Sequence, residues 1–195
     1  AIFTIMILYL RKLHKQNLAF IDTETTGLDP ENHEIIQIGC VLVSQNQDTD
    51  GNQVYEIVEE FELKVKPEKI ENADKVALRI NGYNEADWVF AYTLKEAMQI
   101  FSDKTKDAIM VAHNMPFDFA FLLKAFSTTK VENKLHYHKL DTISIAYAKA
   151  KKRDDISRFS LRFLCEVFKI DNKKAHTALS DCRATFELYK KLMNL

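Results

Sequence analysis

Three apolar runs rich in β-branched residues dominate the first third of the chain and constrain its fold most. They predict strands at Leu18–Asp22, Ile35–Val43 and Val54–Val65. Turn-forming residues at 26–30 and 48–52 separate the runs. The economical pairing of three consecutive strands joined by short turns is an antiparallel meander.

Helical spacing replaces this pattern after residue 92. Thr93 and Glu96 form a capping box ahead of an apolar helical stripe, and Ala108–Ala112 is a short apolar run that predicts a strand parallel to its neighbours. Asn114 and Pro116 mark the start of the next helix, through Phe126. Further helices are predicted at Asp141–Ala150, Ser160–Phe168 and Thr177–Leu192. The pattern indicates one α/β domain with a mixed sheet and helices on its faces.

The net charge of the chain argues against a protein that binds long nucleic-acid duplexes. The 195 residues contain 27 Lys and Arg against 28 Asp and Glu, a net charge of -1, whereas neutralising many phosphates requires a basic excess. Residues 149–174 are locally basic, with 9 cations against 4 acids. This stretch is a candidate for phosphate contact, and its alternative is a solvated helix end and loop.

The cysteines and the N-terminal residues indicate the cellular compartment of the protein. Cys40, Cys165 and Cys182 are an odd number without C-x-x-C spacing, which favours a reducing, cytoplasmic compartment over a disulfide framework. Ala1–Leu10 is almost wholly apolar, but cations follow it instead of preceding it, and ten residues are too few to span a bilayer. We expect a terminal strand or helix docked on the core and no membrane partner. Because the chain opens on Ala, a longer anchor extending upstream stays open as an alternative.

Two carboxylates end the first predicted strand. Asp22 and Glu24 are two residues apart, so the period of a strand places both on one face of the sheet. Adjacent carboxylates raise each other's pKa, and such a pair after an apolar strand indicates a divalent cation between them. Alone, the pair could equally be turn or capping acids. The small turn of Thr25, Gly27 and Leu28 that follows would let backbone N–H groups approach a phosphate or sugar.

Two further segments add acids and a histidine. Asp118 lies in the first turns of an otherwise apolar helix, where the alternative is an acid that simply favours the helix N-terminus. His176 and Asp181 are five residues apart, which fits a histidine preceding a helix and an aspartate within it. His176 could otherwise be a capping or surface histidine.

Together these residues predict a metal-dependent phosphoryl-transfer site. Four carboxylates near strand ends and helix starts are hard oxygen ligands that suit Mg²⁺ or Mn²⁺ better than zinc. Two such cations can stabilise the attacking and leaving oxygens of an in-line displacement, and a neutral histidine can accept the proton of the attacking water.

Three motifs resemble one known family. They are F-I-D-T-E-T-T-G-L-D-P at 20–30, V-A-H-N-M-P-F-D-F-A-F-L at 111–122 and A-H-T-A-L-S-D-C-R-A-T at 175–185. They are similar to the exonuclease motifs of the DnaQ-like, DEDDh 3′→5′ exonucleases, and the resemblance covers about residues 17–192. It implies an RNase H-like fold, with residues 17–195 as the exonuclease domain and 1–16 as an apolar extension of unassigned role.

The resemblance also implies a role for each matching residue. Asp22, Glu24 and Asp181 would hold the catalytic metal, Asp22 would also touch a second one, and Asp118 would join directly or through water. His176 would be the general base. The 3′-terminal nucleotide pocket would consist of Thr25, Gly27, Leu28, His113, Asn114 and Phe117. Core packing is the alternative for Leu28 and Phe117, and Asp141 is interpreted as a helix N-cap.

Several interpretations follow from this family. The leading one is a 3′→5′ exonuclease that releases nucleoside 5′-monophosphates from single-stranded DNA, and the nearest alternative is an exoribonuclease acting on RNA 3′ ends. A catalytically inactive binding module would lack one of the acids or the histidine, and all five are present. Cys182, beside Asp181, occupies a position at which members of this family usually have alanine. The C-terminal extension by which proofreading subunits dock a DNA polymerase is not seen, which suggests a stand-alone enzyme or a domain of something larger.

Overall fold

The computed structural model describes residues 15–172 and 177–195. The docked segment predicted for residues 1–10 lies outside this part of the chain. The strands are β1 (Leu18–Thr25), β2 (Ile35–Gln47), β3 (Gln53–Lys64), β4 (Ile109–Ala112) and β5 (Lys139–Asp141). The helices are α1 (Lys75–Ile80), α2 (Leu94–Lys104), α3 (Met115–Thr129), α4 (Thr142–Ala150), α5 (Leu161–Phe168) and α6 (Ala178–Met193).

The strands form one mixed sheet in the order β3-β2-β1-β4-β5. The first three strands pair antiparallel, as the meander predicted, and β4 and β5 join parallel to β1. The carboxyl ends of β1, β4 and β5 therefore meet at the same edge of the sheet. In the register of β1 and β2, Asp22 lies opposite Gly39 and Glu24 opposite Gln37.

Helices cover both faces of the sheet. Ala19 and Ile21 of β1 pack in the layer that contains α2 and α3. Leu18 and Phe20 point the other way and pack against α6, behind which α4 and α5 complete a second apolar cluster. Because side chains alternate along a strand, Asp22 and Glu24 continue the α6 face.

Gly39 allows α6 to lie very close to the sheet. A Cβ atom added at Gly39 would be 2.4 Å from the carbonyl carbon of Ala178, a backbone atom that cannot rotate away. The Ala178 N–H donates to Oε1 of the buried Gln37 at 3.0 Å, and the Leu179 N–H donates to Oε2 of Glu62 at 3.3 Å. The first turn of α6 is thus fixed against β2 and β3.

The structure extends and corrects the predicted elements. The capping box of Thr93 and Glu96 is present at the start of α2. The strands are longer than predicted at several ends, and α1 and the three-residue β5 were missed. Asn114 does begin α3, but its side chain makes no capping hydrogen bond, and its backbone is left-handed with φ 70°. Within the described residues, no helix is long and apolar enough to cross a membrane.

Candidate active site

Three of the predicted acids come together at the end of β1. Asp22 and Glu24 extend from the strand, and Asp181 reaches them from the first turn of α6. One ligand oxygen from each lies within 4.8 Å of the others. Asp22 and Glu24 are two residues apart in β1 and so share one face of the sheet. Because α6 packs closely against Gly39 on that face, Asp181 reaches both.

Burial and mutual repulsion raise the pKa of the two carboxyls on β1. For Asp22 the main cause is loss of hydration, followed by the charges of Asp118, Glu24 and Asp181. The pKa of Glu24 rises to about 7 through burial, then through Asp181, Asp118 and Glu62. Concentrated negative charge of this kind disfavours the ionised state unless a cation neutralises it.

Asp118 approaches from the opposite side of the sheet. It lies in the first turn of α3 and is only 3% exposed. Its Oδ1 accepts hydrogen bonds from the Thr23 backbone N–H at 2.9 Å and the Thr23 hydroxyl at 2.8 Å. Burial raises its pKa although these bonds oppose the shift. Asp118 therefore contributes negative charge to the site, although it is not one of the three carboxylates whose oxygens lie within 4.8 Å of one another.

Two hydrogen bonds hold the turn after β1. The Thr25 hydroxyl donates to the Gly27 carbonyl at 2.7 Å, and Nδ2 of Asn81 donates to the Thr25 carbonyl at 3.0 Å. The sequence pattern attributes Gly27 to a flexible turn, but the structure gives a different reason, because an added Cβ would lie 2.3 Å from the His33 ring. Leu28 is 79% exposed, which excludes the core-packing alternative for this residue.

The other predicted pocket residues follow β4. His113 is half-buried, with Nδ1 2.9 Å from the Thr142 hydroxyl and Nε2 2.8 Å from the Phe159 carbonyl. A carbonyl can only accept, so Nε2 carries the proton, and burial lowers the pKa of the ring. Asn114 is exposed and Phe117 is half-buried against the core.

Asp141 caps two helices at once, and its predicted role as an N-cap is confirmed. Its Oδ1 accepts from the backbone N–H groups of Asn114 and Met115, both at 3.1 Å. Its Oδ2 accepts from the Ser144 N–H at 2.9 Å and the Ser144 hydroxyl at 2.6 Å. The carboxylate fixes α3 relative to α4 and so holds Asp118 and His113 in place.

Asn172 is a site residue that sequence reasoning missed. Its Nδ2 lies 3.2 Å from Oδ1 of Asp181. Its own Oδ1 is buried and has no hydrogen-bond partner in the part of the chain that the structure describes. Only its position in the polar stretch before the last helix could have drawn notice. His176, the predicted base, lies outside the described residues.

The residues present fit divalent cations. The clustered donors are all carboxylate oxygens, and hard oxygen ligands are those that Mg²⁺ and Mn²⁺ prefer. The buried oxygen of Asn172 beside Asp181 is a further acceptor, and it has no donor within residues 15–172 and 177–195. A cation would supply positive charge to this group of acceptors, and its bound water would supply donors.

Known exonucleases and DNA polymerase subunits are similar to this chain. A family model described as an exonuclease (RNase T) matches residues 19–189. DNA polymerase III subunit epsilon of Escherichia coli is 31% identical over 179 residues, which cover 87% of this chain and 68% of that protein. A PolC-type DNA polymerase III of Caldanaerobacter subterraneus is 30% identical over 175 residues. The chain spans only 11% of the length of that polymerase.

Solved structures share the fold. Exonuclease I of Escherichia coli, in complex with a dT13 oligonucleotide, superposes with a TM-score of 0.71 at 18% identity. The match covers 91% of this chain and 40% of exonuclease I. The five-stranded mixed sheet with helices on both faces is therefore the RNase H-like exonuclease fold, which confirms the predicted fold class.

Proposed function

This chain belongs to the DnaQ-like exonuclease family, and from that membership we propose that it removes nucleoside 5′-monophosphates from the 3′ end of single-stranded DNA. The observation that carries the proposal is the group of Asp22, Glu24 and Asp181, whose ligand oxygens lie within 4.8 Å of one another. The family motifs that supplied these acids in the sequence are thus joined in space at one sheet edge. The free, buried cysteines accord with a protein of the reducing cytoplasm, which is where we place its action.

The carboxylates would hold the metals, and the other site residues would position the strand. When bound by Asp22, Glu24 and Asp181, with Asp118 joining, two Mg²⁺ or Mn²⁺ ions supply Lewis-acid stabilisation of charge at the scissile phosphate. Thr25 and the backbone of Gly27 would contact the 3′-hydroxyl. The exposed Leu28 would wedge against the last base, and His113, Asn114 and Phe117 would line the rest of the pocket.

His176 is the proposed general base for the attacking water. The environment of His113 supports this assignment by elimination between the two histidines of the motifs. Both ring nitrogens of His113 face protein groups, the Phe159 carbonyl and the Thr142 hydroxyl. Taking a proton from water would require His113 to break one of these bonds, which favours His176 as the base.

A labelled-strand assay tests the proposal. With Mg²⁺ or Mn²⁺, the protein should shorten a 5′-labelled single-stranded DNA stepwise from its 3′ end, faster than an RNA of the same sequence. Asp22→Ala and Asp181→Ala should abolish cleavage, and His176→Ala should reduce it strongly. Asp50→Ala is the matched control, because Asp50 lies exposed in the β2–β3 turn. Equal ladders from the wild type and Asp22→Ala would contradict the mechanism, and faster RNA cleavage would favour the exoribonuclease.

The relatives that are subunits of DNA polymerase III raise the question of a polymerase partner. Adding a replicative polymerase to the cleavage assay answers it. A large stimulation would indicate a polymerase partner, and unchanged cleavage rates would indicate an exonuclease that acts on free 3′ ends without one.

A further inference from the structure

The basic stretch predicted as a phosphate contact is divided by the structure into paired and unpaired cations. Arg153 donates two hydrogen bonds to Asp155, at 2.9 and 2.7 Å, and its guanidinium carbon lies 4.9 Å from the Phe168 ring centre. Arg162 pairs more loosely with Glu166, at 3.4 Å. Arg153 is therefore engaged within its own loop and is a poor candidate for phosphate contact.

The remaining cations have no carboxylate partner among the residues that the structure describes. Among the described residues they are Lys149, Lys151, Lys152, Arg158 and Lys169, and all five are exposed. Unpaired cations on one segment keep their full attraction for an anion, because no neighbouring carboxylate must first be displaced.

Aromatic rings alternate with these cations. Tyr147 is 58% exposed, and the Lys151 Nζ lies 5.8 Å from its ring centre. The Arg158 guanidinium carbon lies 5.1 Å from the centre of the Phe163 ring. An exposed ring beside unpaired cations is the combination that binds unpaired bases and their phosphates, since every base has a face that can stack.

This surface adjoins the candidate active site. The carbonyl of Phe159 is bound by Nε2 of His113 at 2.8 Å, and the Phe159 ring meets the Tyr147 ring edge-on at 5.9 Å between centres. His113 directly follows β4, and Asp118 lies in the first turn of the helix that begins two residues later. A strand that leaves the site past His113 would next meet Tyr147.

We propose that Tyr147, Lys151, Lys152 and Arg158 form a strand-binding surface for single-stranded nucleic acid, on the 5′ side of the nucleotides held in the site. This inference rests on the proposed function, which it extends from the terminal nucleotides to the strand behind them. The occupant is a single strand and not a duplex, because only unpaired bases expose their faces to Tyr147. The overall net charge of -1 also leaves little attraction for a long duplex.

Substrates of different length separate the surface from the site. We would compare kcat/KM for a deoxythymidine dodecanucleotide and for the p-nitrophenyl ester of thymidine 5′-monophosphate. The double variant Lys151→Ala, Arg158→Ala should lose about tenfold on the dodecanucleotide through KM and nothing on the ester. The slope of log affinity against log salt should fall by about 0.7 for each phosphate that the variant no longer neutralises.

Tyr147 is tested by two variants and by remote controls. Tyr147→Ala should lose about tenfold in affinity for the dodecanucleotide, and Tyr147→Phe should retain it because the ring face remains. Tyr137→Ala and Lys191→Ala are matched controls, since Tyr137 is 76% exposed before β5 and Lys191 is exposed in the last turns of α6. Both positions lie away from the carboxyl ends of the strands.

The outcomes distinguish the two proposals. The proposed surface would be contradicted if the variants lost kcat/KM equally on the ester and the dodecanucleotide, or lost none on the dodecanucleotide. It would also be contradicted if the control variants showed the same loss. If the wild type cleaved neither substrate, the proposed function would fail by itself, and direct binding of the dodecanucleotide would still decide the surface.

Discussion

The Asp22 carboxylate is proposed to bind metal, and without metal it should destabilise the folded protein. Its carboxyl is surrounded by Asp118, Glu24 and Asp181, and burial with these charges raises its pKa. Asp22→Asn removes one negative charge from the group. We expect the metal-free variant to melt several degrees higher than the metal-free wild type, at about 2–4 °C for each kcal/mol of repulsion relieved.

The same variant should lose its response to metal. Mg²⁺ should raise the Tm of the wild type, because binding to the folded state alone stabilises it, and should leave Asp22→Asn nearly unchanged. Differential scanning fluorimetry with Mg²⁺ and with EDTA measures both effects. Asp50→Asn provides the control for removing an exposed acid, and a metal response retained by Asp22→Asn would show that this residue is not a ligand.

Asn172 should act on the metal through Asp181. Its amide fixes one oxygen of that carboxylate at 3.2 Å, and outer partners of this kind change metal affinity by about 10–100-fold when they are removed. Asn172→Ala should therefore weaken Mn²⁺ binding, measured by isothermal titration or by the EPR signal of free Mn²⁺. Asn46→Ala, at an exposed position of β2, should not. Equal Mn²⁺ affinities in the two variants would contradict the role.

At the scale of elements, Gly39 determines where α6 begins relative to the sheet. In Gly39→Ala the new methyl group would collide with the backbone of Ala178, at 2.4 Å, so the first turn of α6 must move away. We expect a loss of about 1–3 kcal/mol in the free energy of unfolding, as in other overpacked sites. Because Asp181 lies in that turn, Mn²⁺ affinity should fall as well. Denaturant unfolding and Mn²⁺ titration measure the two effects, and a variant with unchanged Mn²⁺ affinity would show that α6 adjusts without moving Asp181.

Elements with a strong repeating pattern could be predicted from the sequence, and those without one could not. The three long strands were predicted because β-branched runs and turn residues mark them. The three residues of β5 owe their strand to the parallel register with β4, a tertiary pairing that leaves no local signal. The six residues of α1 are too few to show helical periodicity, although Asn81, which directly follows α1 as its C-cap, holds the Thr25 turn through a hydrogen bond.

At the scale of the whole molecule, the site joins three parts of the chain from both faces of one sheet. The identities of the acidic residues in the site could be predicted, because each lies in a short motif of consecutive residues. That Asp118 arrives from the α3 layer while Asp181 arrives from the α6 layer depends on packing, as does the contact of Asn172 with Asp181. Such contacts between distant segments are fixed only when the sheet and its helices assemble.

The concentration of acid at this one edge should make the stability of the metal-free protein depend on pH. The pKa of Glu24 is raised to about 7 from an ordinary value of 4.5, and the pKa values of Asp22 and Asp118 are raised as well. Between the unfolded and folded values, the folded protein keeps protons that the unfolded chain releases. The free energy of unfolding therefore falls as pH rises through this window, and it levels off above the folded pKa.

We expect the Tm of the wild type in EDTA to decline from about pH 5 to about pH 7.5, with a contribution on the order of 3 kcal/mol from Glu24. Mg²⁺ should reverse the decline at the upper end, because a bound cation favours the ionised carboxylates. Glu24→Gln should make the decline in the EDTA profile shallower, whereas Glu71→Gln, which changes an exposed acid in the turn before α1, should leave the profile unchanged. A wild-type Tm in EDTA that rises over this range, with the same slope in Glu24→Gln, would contradict the raised pKa of Glu24 and with it the close grouping of the acids.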